Sequence, residues 1–233
     1  MTQKFNGFWI SISDLMSGLM VIFLFIAVAY MYEIKDVIQG VIYITEGFED
    51  TEESLYHELM REFKNDLEDW NATIDAKSLS VIFKEPDVLF EKGEHQIKSR
   101  FKHILGDFFP RYVTVLTSEE FFESINSVRI EGHTSTEWKK STPEKFAYLL
   151  NMSLSQKRAS EVLHYVLQTN LNGSNPWIRK HLQAVGYSSS KAKYNDNKVE
   201  NKPQSRRVEF KVVTNAQEKL YELVSLVGEK TKE

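Results

Sequence analysis

The sequence contains no cysteine among its 233 residues, which excludes disulfide bonds and thiol chemistry. It also lacks an excess of one charge: 29 basic and 33 acidic side chains leave a net charge of −4, too balanced to indicate direct binding of nucleic acid. Two hydrolase motifs are absent as well, the Gly-x-Ser-x-Gly elbow and a histidine pair four residues apart. We therefore expect a protein that is not an enzyme, with no cofactor and no metal site.

Proline is also missing from residues 8–70, and the first part of this range is strongly apolar. Residues 8–32 would reach roughly 37 Å as a helix, enough to cross a hydrocarbon core of about 30 Å. We predict a single transmembrane helix at 8–32, after a short N-terminus at residues 1–7. The long apolar run and the lack of a small-x-small site before Glu33 favour an uncleaved anchor over a signal peptide.

The predicted span carries one ionisable side chain, Asp14. A charged Asp at the centre of a membrane helix costs about 2.5–3.5 kcal/mol on insertion scales, so a partner or a water-filled path must stabilise it. Ser11, Ser17 and Gly18 lie three or four residues away and share its helix face. We interpret this polar face as an ion or proton site at a helix interface. The alternative is an Asp that only forms hydrogen bonds with a neighbouring helix.

Residues 33–72 continue the helical pattern beyond the span. Their apolar side chains alternate at intervals of three and four, as in a heptad repeat, at Ile34, Val37, Val41, Ile44 and Phe48. We predict a long helix that reaches Trp70 and forms a coiled-coil dimerisation linker with a second copy of the chain. The alternative is an amphipathic helix that lies against the globular domain of its own chain.

The period of the pattern changes after residue 73, where short strands and helices begin to alternate. Strands are predicted at 78–83, 128–131 and 208–213, and helices at 94–109 (ended by Pro110), 144–151, 153–170 and 177–184. The fold class is predicted as α+β, with a C-terminal α/β sandwich at 73–214 whose helices cover one face of a small sheet. Residues 215–233 form a C-terminal tail.

Five segments of this domain carry a family resemblance. The order of these segments is that found in OmpA-like peptidoglycan-binding domains. They are DVLFEKG at 87–93, IEGHTS at 130–135, NMSLSQKRA at 151–159, Gly186, and RRVEF at 206–210. The resemblance implies that the domain binds the peptide stem of peptidoglycan. It also implies a periplasmic C-terminal domain, a cytoplasmic N-terminus and a single pass through the bacterial inner membrane.

Matching the family motifs residue by residue implies a set of peptidoglycan-binding residues: His133, Ser135, Asn151, Leu154, Arg158 and Arg207. Ser135 stands where the family has an Asp that contacts the diaminopimelate amine, so this contact is expected to be weaker. Arg158 is placed to hold a carboxylate in a bidentate fork.

Two of these assignments leave alternatives open, and one segment departs from the family pattern. His133 could instead be a buried histidine of a turn. Of the adjacent Arg206 and Arg207, one would contact the ligand and the other would cap a carboxylate of the domain. The chain also carries extra residues after GHTS, including Trp138, Lys139 and Lys140.

The predicted span resembles a second family. The segment with Trp9 and the following SDLMSGLMVIFLF resembles B subunits of ion-driven stator units such as flagellar MotB. The sequence DLMSGLM, together with the Ser in GHTS, is more similar to ZorB of the Zorya anti-phage defence system. This resemblance implies a homodimer inside a ring of MotA-like or ZorA-like multi-span subunits, with Asp14 carrying the ion. The apolar residues after Gly18 favour H⁺ over Na⁺. A flagellar stator subunit and a passive tether between membrane and wall are the alternatives.

Overall fold

The computed structural model describes residues 3–84, 89–91, 93–139, 141–169, 175–216, 218, 219 and 221. Parts of the predicted DVLFEKG motif, Lys140 and residues 222–233 of the predicted tail lie outside this description. The chain divides into two compact units, Glu49–Gln217 and a second unit of Met1–Phe48 with Glu218–Glu233. The elements in chain order are α1 (Gln3–Phe63), β1 (Ala72–Asp75), β2 (Ser80–Lys84), α2 (Ser99–Leu116), β3 (Ile125–His133), α3 (Glu144–Thr169), α4 (Pro176–His181), β4 (Leu182–Gly186), α5 (Lys202–Ser205) and β5 (Arg207–Thr214).

Helix α1 contains the predicted span and the first part of the predicted linker. Within it, Ile12–Ile42 is long and apolar enough to cross a membrane, by length and composition. The prediction that the helix reaches Trp70 is wrong, because α1 ends at Phe63 and turns occupy residues 64–71. Asn71 closes these turns with a left-handed φ of 50°, a conformation that Asn tolerates better than most residues.

The end of α1 belongs to the core of the C-terminal unit. Leu55, Leu59 and Phe63 are fully buried there, at 1%, 0% and 0% exposure. The compact unit that contains these residues begins at Glu49, whereas the sequence predicts a domain that starts at residue 73. An apolar stripe shows that a helix face is covered but does not identify what covers it. Pairing with a second copy through residues 34–48 stays a prediction.

The C-terminal unit contains a five-stranded sheet in the order β1-β2-β5-β3-β4, in which only β3 and β4 run parallel. Aromatic side chains from sheet and helix form the core: the Phe108 ring lies 5.2 Å from Phe83 and 5.0 Å from Phe210. This arrangement confirms the predicted α+β class. Strands β2, β3 and β5 match the predicted strands, whereas β1 and β4 were not predicted.

Two helix boundaries differ from the sequence prediction. Helix α2 continues through Pro110 to Leu116. The hydrogen bond that proline cannot make is offset here by the burial of Phe108, Phe109, Tyr112 and Val113 on the same helix. Helix α4 ends at His181, and the residues predicted as its last turn form β4. The predicted helices at 144–151 and 153–170 are one helix, α3.

Two glycines bring α3 very close to the sheet. Gly132 and Gly186 are partners in the parallel pairing of β3 with β4. A Cβ atom at Gly132 would lie 2.3 Å from the carbonyl oxygen of Ser155, and one at Gly186 would lie 2.5 Å from the backbone nitrogen of Gln156. Only glycine permits this approach, which sets the position of residues 151–158 on α3.

The side chain of Gln156 completes the contact with β4, the last strand of the sheet. Its Oε1 accepts a hydrogen bond from the Gly186 backbone at 2.7 Å, and its Nε2 donates to the Ala184 carbonyl at 3.2 Å. Helix α3 and strand β4 are therefore joined by hydrogen bonds between a side chain and the strand backbone as well as by packing.

Candidate functional site

A cavity of about 480 Å³ opens beside the carboxyl end of β3. Its lining residues come from the 134–139 segment, from α3 and from two flanking loops: Gly93, Thr134, Ser135, Glu137, Trp138, Lys139, Asn151, Leu154, Arg158 and Arg206. Four of the six residues predicted to bind ligand are among them. The family motifs and the cavity thus fall in the same part of the fold, a concave and charged one.

Asn151 holds the 135–137 segment in place. Its side chain is 2% exposed, and its Nδ2 donates to the carbonyl oxygens of Ser135 at 3.1 Å and Glu137 at 3.2 Å. Both amide hydrogens are therefore directed at one stretch of backbone. Asn151 acts on the shape of the cavity through that backbone.

Arg158 is the cation on the α3 side of the cavity. Only 5% of it is exposed, its Nε donates to the Glu94 carbonyl at 2.9 Å, and its Nη2 donates to the Glu91 carbonyl at 3.5 Å. The guanidinium also lies 4.8 Å from the centre of the Phe90 ring. These contacts fix the planar group, and a fixed guanidinium can bind a carboxylate through two hydrogen bonds.

Of the two adjacent arginines, Arg206 lines the cavity, whereas Arg207, the predicted ligand contact, does not. Arg207 is 3% exposed and its Nε donates to Glu209 Oε1 at 2.6 Å. Its Nη1 donates to the Ser205 carbonyl at 3.0 Å. Arg207 therefore caps a carboxylate of the domain, the role that the sequence analysis left open for one of the two arginines.

His133 does not line the cavity either but lies buried in the sheet, at 2% exposure. Its Nε2 is 3.3 Å from Glu131 Oε2 and 3.7 Å from Glu209 Oε1, and its ring stacks on Tyr187 at 5.1 Å. Burial lowers the pKa of His133, because the low-polarity surroundings disfavour the imidazolium.

Glu131, His133 and Glu209 place their ligand atoms within 4.8 Å of one another, a spacing that a metal ion could bridge. Two cations already face these carboxylates: Arg207 bonds Glu209, and Lys191 Nζ lies 3.4 Å from Glu131 Oε2. Burial alone would raise the pKa of Glu131, but the contact with His133 and the charge of Lys191 outweigh it and lower that pKa. Glu131, His133 and Glu209 thus form a buried polar cluster within the sheet.

Sequence reasoning did not assign Glu137, Trp138 and Lys139 to the site, although all three line the cavity. The available signal was the insertion after GHTS, which places an acidic, an aromatic and a basic side chain directly after a binding motif. Which of them faces the cavity depends on the path of the loop. That path is set by contacts with distant residues.

The predicted ion site lies in the other unit, on α1. Asp14, Ser17 and Gly18 are exposed there among exposed apolar side chains, and Ser17 Oγ donates to the Ser13 carbonyl at 2.9 Å. The side chain of Ser11 lies outside the described part of the chain. A carboxylate exposed on an otherwise apolar helix requires a protein or water partner if that helix lies in a membrane.

The chain matches the model of the OmpA family over residues 89–206. It is 44% identical over 220 residues, covering 94% of this chain and 93% of the other, to the Zorya protein ZorB of the Crooks strain of Escherichia coli.

Solved structures similar to the chain include the cell wall anchor of the type VI secretion system from Pseudomonas aeruginosa (21% identity, TM-score 0.46, 67% of this chain and 96% of the other) and the periplasmic domain of Helicobacter pylori MotB (20% identity, TM-score 0.44, 63% of this chain and 92% of the other). The identity to the Escherichia coli protein extends over nearly the full length of both chains, so it includes the apolar helix as well as the OmpA-family region. The chain belongs to the ZorB family of Zorya proteins.

Proposed function

We propose that this chain is the wall-anchored B subunit of a proton-driven membrane motor that acts in anti-phage defence. The observation that carries the proposal is that one chain has Asp14, the one ionisable side chain of residues 8–32, on a membrane-length apolar helix and a charged cavity in an OmpA-family domain. The first feature suits ion transfer, and the second suits attachment to a fixed polymer. A protein that only bound the wall would need the cavity but not the carboxylate on the membrane helix.

The wall-binding step uses the cavity. The peptide stem of peptidoglycan carries carboxylates, and Arg158 offers a guanidinium whose orientation is already fixed by two backbone carbonyls. Arg206 and Lys139 add positive charge on other sides of the cavity. The domain lies in the periplasm in this proposal, and the N-terminus lies in the cytoplasm.

The ion-transfer step uses Asp14 in two α1 helices of a homodimer, surrounded by a ring of MotA-like or ZorA-like subunits. A proton from the periplasm neutralises Asp14, and its release towards the cytoplasm restores the charge. The membrane potential supplies roughly 2.3 kcal/mol per charge per 100 mV for such a transfer. Because the C-terminal domain is fixed to the wall, the ring turns around the dimer.

The ion-transfer step is tested with Asp14→Asn, which preserves shape and hydrogen bonding but cannot release a proton. We expect phage protection to be lost while the amount of protein in the membrane is unchanged, and Asp14→Glu to retain part of the protection. Full protection by Asp14→Asn would instead identify the chain as a passive tether.

The wall-binding step is tested by pelleting the full chain with purified sacculi. Arg158→Ala should reduce the pelleted fraction, whereas Arg179→Ala, which changes an exposed arginine of α4 away from the cavity, should not. Equal pelleting of wild type and Arg158→Ala would remove the cavity from the proposal.

A further inference from the structure

One face of α1 is covered just beyond the most apolar part of the helix. Val37, Gly40 and Val41 are half-buried, whereas Gly18 and Val21 of the same helix are exposed. The three half-buried residues lie three and four positions apart, so they share one helix face. Because glycine and valine occur at both places, the difference in exposure reflects a covering segment of the chain and not the size of the side chains.

The C-terminal segment of the chain leaves the sheet beside the same helix. Strand β5 ends at Thr214, whose hydroxyl donates to Glu52 Oε1 on α1 at 2.7 Å. Helical backbone begins directly afterwards, at Ala216, and includes Lys219. We call residues 216–227 the tail segment. It therefore starts as a helix, next to the point where β5 is bonded to α1.

The tail segment is amphipathic when it is read as a helix. Ala216 is half-buried, and Leu220, Val224 and Val227 follow it at intervals of four, four and three residues. Such intervals place apolar side chains on one helix face. Tyr221, which a helix places about 100° away from Leu220, is 81% exposed. The exposures of Ala216 and Tyr221 agree with a tail segment that is covered on its apolar side.

The apolar stripe of α1 and that of the tail segment have matching spacing. From Phe48 back to Val41 the intervals are four and three residues, and from Leu220 to Val227 they are also four and three. Both helices rise about 1.5 Å per residue. An antiparallel helix that begins beside Glu52 therefore brings position 220 level with position 48, and position 227 level with position 41.

The segment Glu218–Glu233 belongs to the same compact unit as Met1–Phe48. We propose that the tail segment docks antiparallel on the Val37–Phe48 stripe of its own α1. The heptad spacing predicts that this same stripe pairs with a second copy of the chain, so docking of the tail and pairing through the stripe exclude each other. The tail segment thus limits the association of two copies at this point. The docking is independent of wall binding and of proton transfer, and it goes beyond the proposed function.

Cysteine pairs test the docking in the full chain, which has no cysteine of its own. Ile44→Cys combined with Val224→Cys should form a disulfide within one chain when membranes that contain the protein are oxidised. Ile44→Cys combined with Glu222→Cys is the matched control, because position 222 lies two residues away on the opposite helix face. We expect roughly fivefold more disulfide in the first pair, since only there do the two Cα atoms come within about 7 Å.

The disulfide is measured as protection of both thiols from a maleimide–polyethylene glycol reagent, without a dimer band on a non-reducing gel. Equal protection in the two pairs would overturn the docking. A disulfide that joins two chains in the first pair would also overturn it, because the stripe would then be covered by a second copy.

Deletion of residues 216–233 tests the competition between the tail segment and a second copy. Ile44→Cys alone should form few disulfides between copies while the tail is present, and severalfold more after the deletion. Leu220→Glu, which keeps the segment but places a charge on its apolar face, should act in the same direction. An unchanged yield of dimer in both variants would overturn the proposed role of the tail, and wall binding measured with sacculi would be unaffected by that result.

Discussion

Gly132 of β3 lies directly against Ser155 of α3, so closely that a methyl group on Gly132 would come within 2.3 Å of the Ser155 carbonyl oxygen. The turn that follows the neighbouring strand β4 is tied to the same turn of helix, since the Ser188 backbone donates to Ser155 Oγ at 2.9 Å. Helix and sheet meet here through backbone atoms, which cannot move aside individually.

The first prediction concerns this contact. Gly132→Ala should destabilise the C-terminal unit by about 3 kcal/mol, the upper range for overpacking, because backbone must shift to admit the methyl group. Urea unfolding of residues 49–217 measures the effect. Gly106→Ala is the matched control: Gly106 lies in the interior of α2 with no atom within 4 Å of a new Cβ, so the change should be stabilising by up to about 1 kcal/mol. Similar behaviour of the two variants would contradict the close approach.

The second prediction separates the adjacent arginines. Arg207→Ala leaves Glu209 buried without its closest cation and should destabilise the unit by about 3–5 kcal/mol. Arg206→Ala should leave the melting temperature nearly unchanged and reduce pelleting with sacculi, since Arg206 lines the cavity. Melting curves and pelleting of both variants check the assignment, and an exchange of the two phenotypes would reverse it.

The third prediction is a loss of stability in acid. The pKa of His133 is lowered by burial in the folded chain. As the pH falls below about 6.5, the unfolded chain therefore binds a proton on this histidine before the folded chain does, and the free energy of unfolding decreases. The pKa of Glu131 is also lowered in the folded state. Its contribution to stability is therefore fully present above its pKa in the unfolded chain and is lost as the pH falls through its pKa in the folded chain. Both effects have the same sign. Unfolding free energies measured from pH 7 to pH 4 should fall steadily.

His133→Gln provides the control for that pH dependence. It removes the histidine contribution, so the slope between pH 6.5 and pH 5 should become smaller while the slope at lower pH remains. A variant that kept the full slope between pH 6.5 and pH 5 would assign the titration to another group.

The fourth prediction concerns the start of the domain. A fragment of residues 49–217 contains Leu55, Leu59 and Phe63, whereas a fragment of residues 72–217 lacks them and exposes the surface that they cover. Each such side chain contributes about 1.5–3 kcal/mol when buried, so the shorter fragment should be markedly less stable or insoluble. Denaturant unfolding of both fragments checks this. Equal stability would place the end of α1 outside the core.

Asn151 and Arg158 were predicted as site residues from the family motif that contains both. The sequence pattern placed them on two separate helices, whereas the single helix α3 carries both, seven residues apart, to the same side at the cavity. The choice between Arg206 and Arg207 could not be made, because adjacent residues at the start of a strand point to opposite sides and only the register of β5 decides between them. Glu137 was missed because Asn151 and Glu200, both distant in sequence, set the path of its loop.

Strand β4 is the outer strand of the sheet, where unpaired backbone groups could recruit a strand from another molecule. Tyr187 donates its backbone N–H to Gly132 across the sheet, so the backbone groups of Ala184 and Gly186, which alternate with it, point outward. Gln156 occupies both of these outward positions with its side-chain amide. Two outward backbone groups of β4 are therefore already hydrogen-bonded, which disfavours pairing of this edge with a strand of another molecule at the high local concentration that a shared wall polymer would impose.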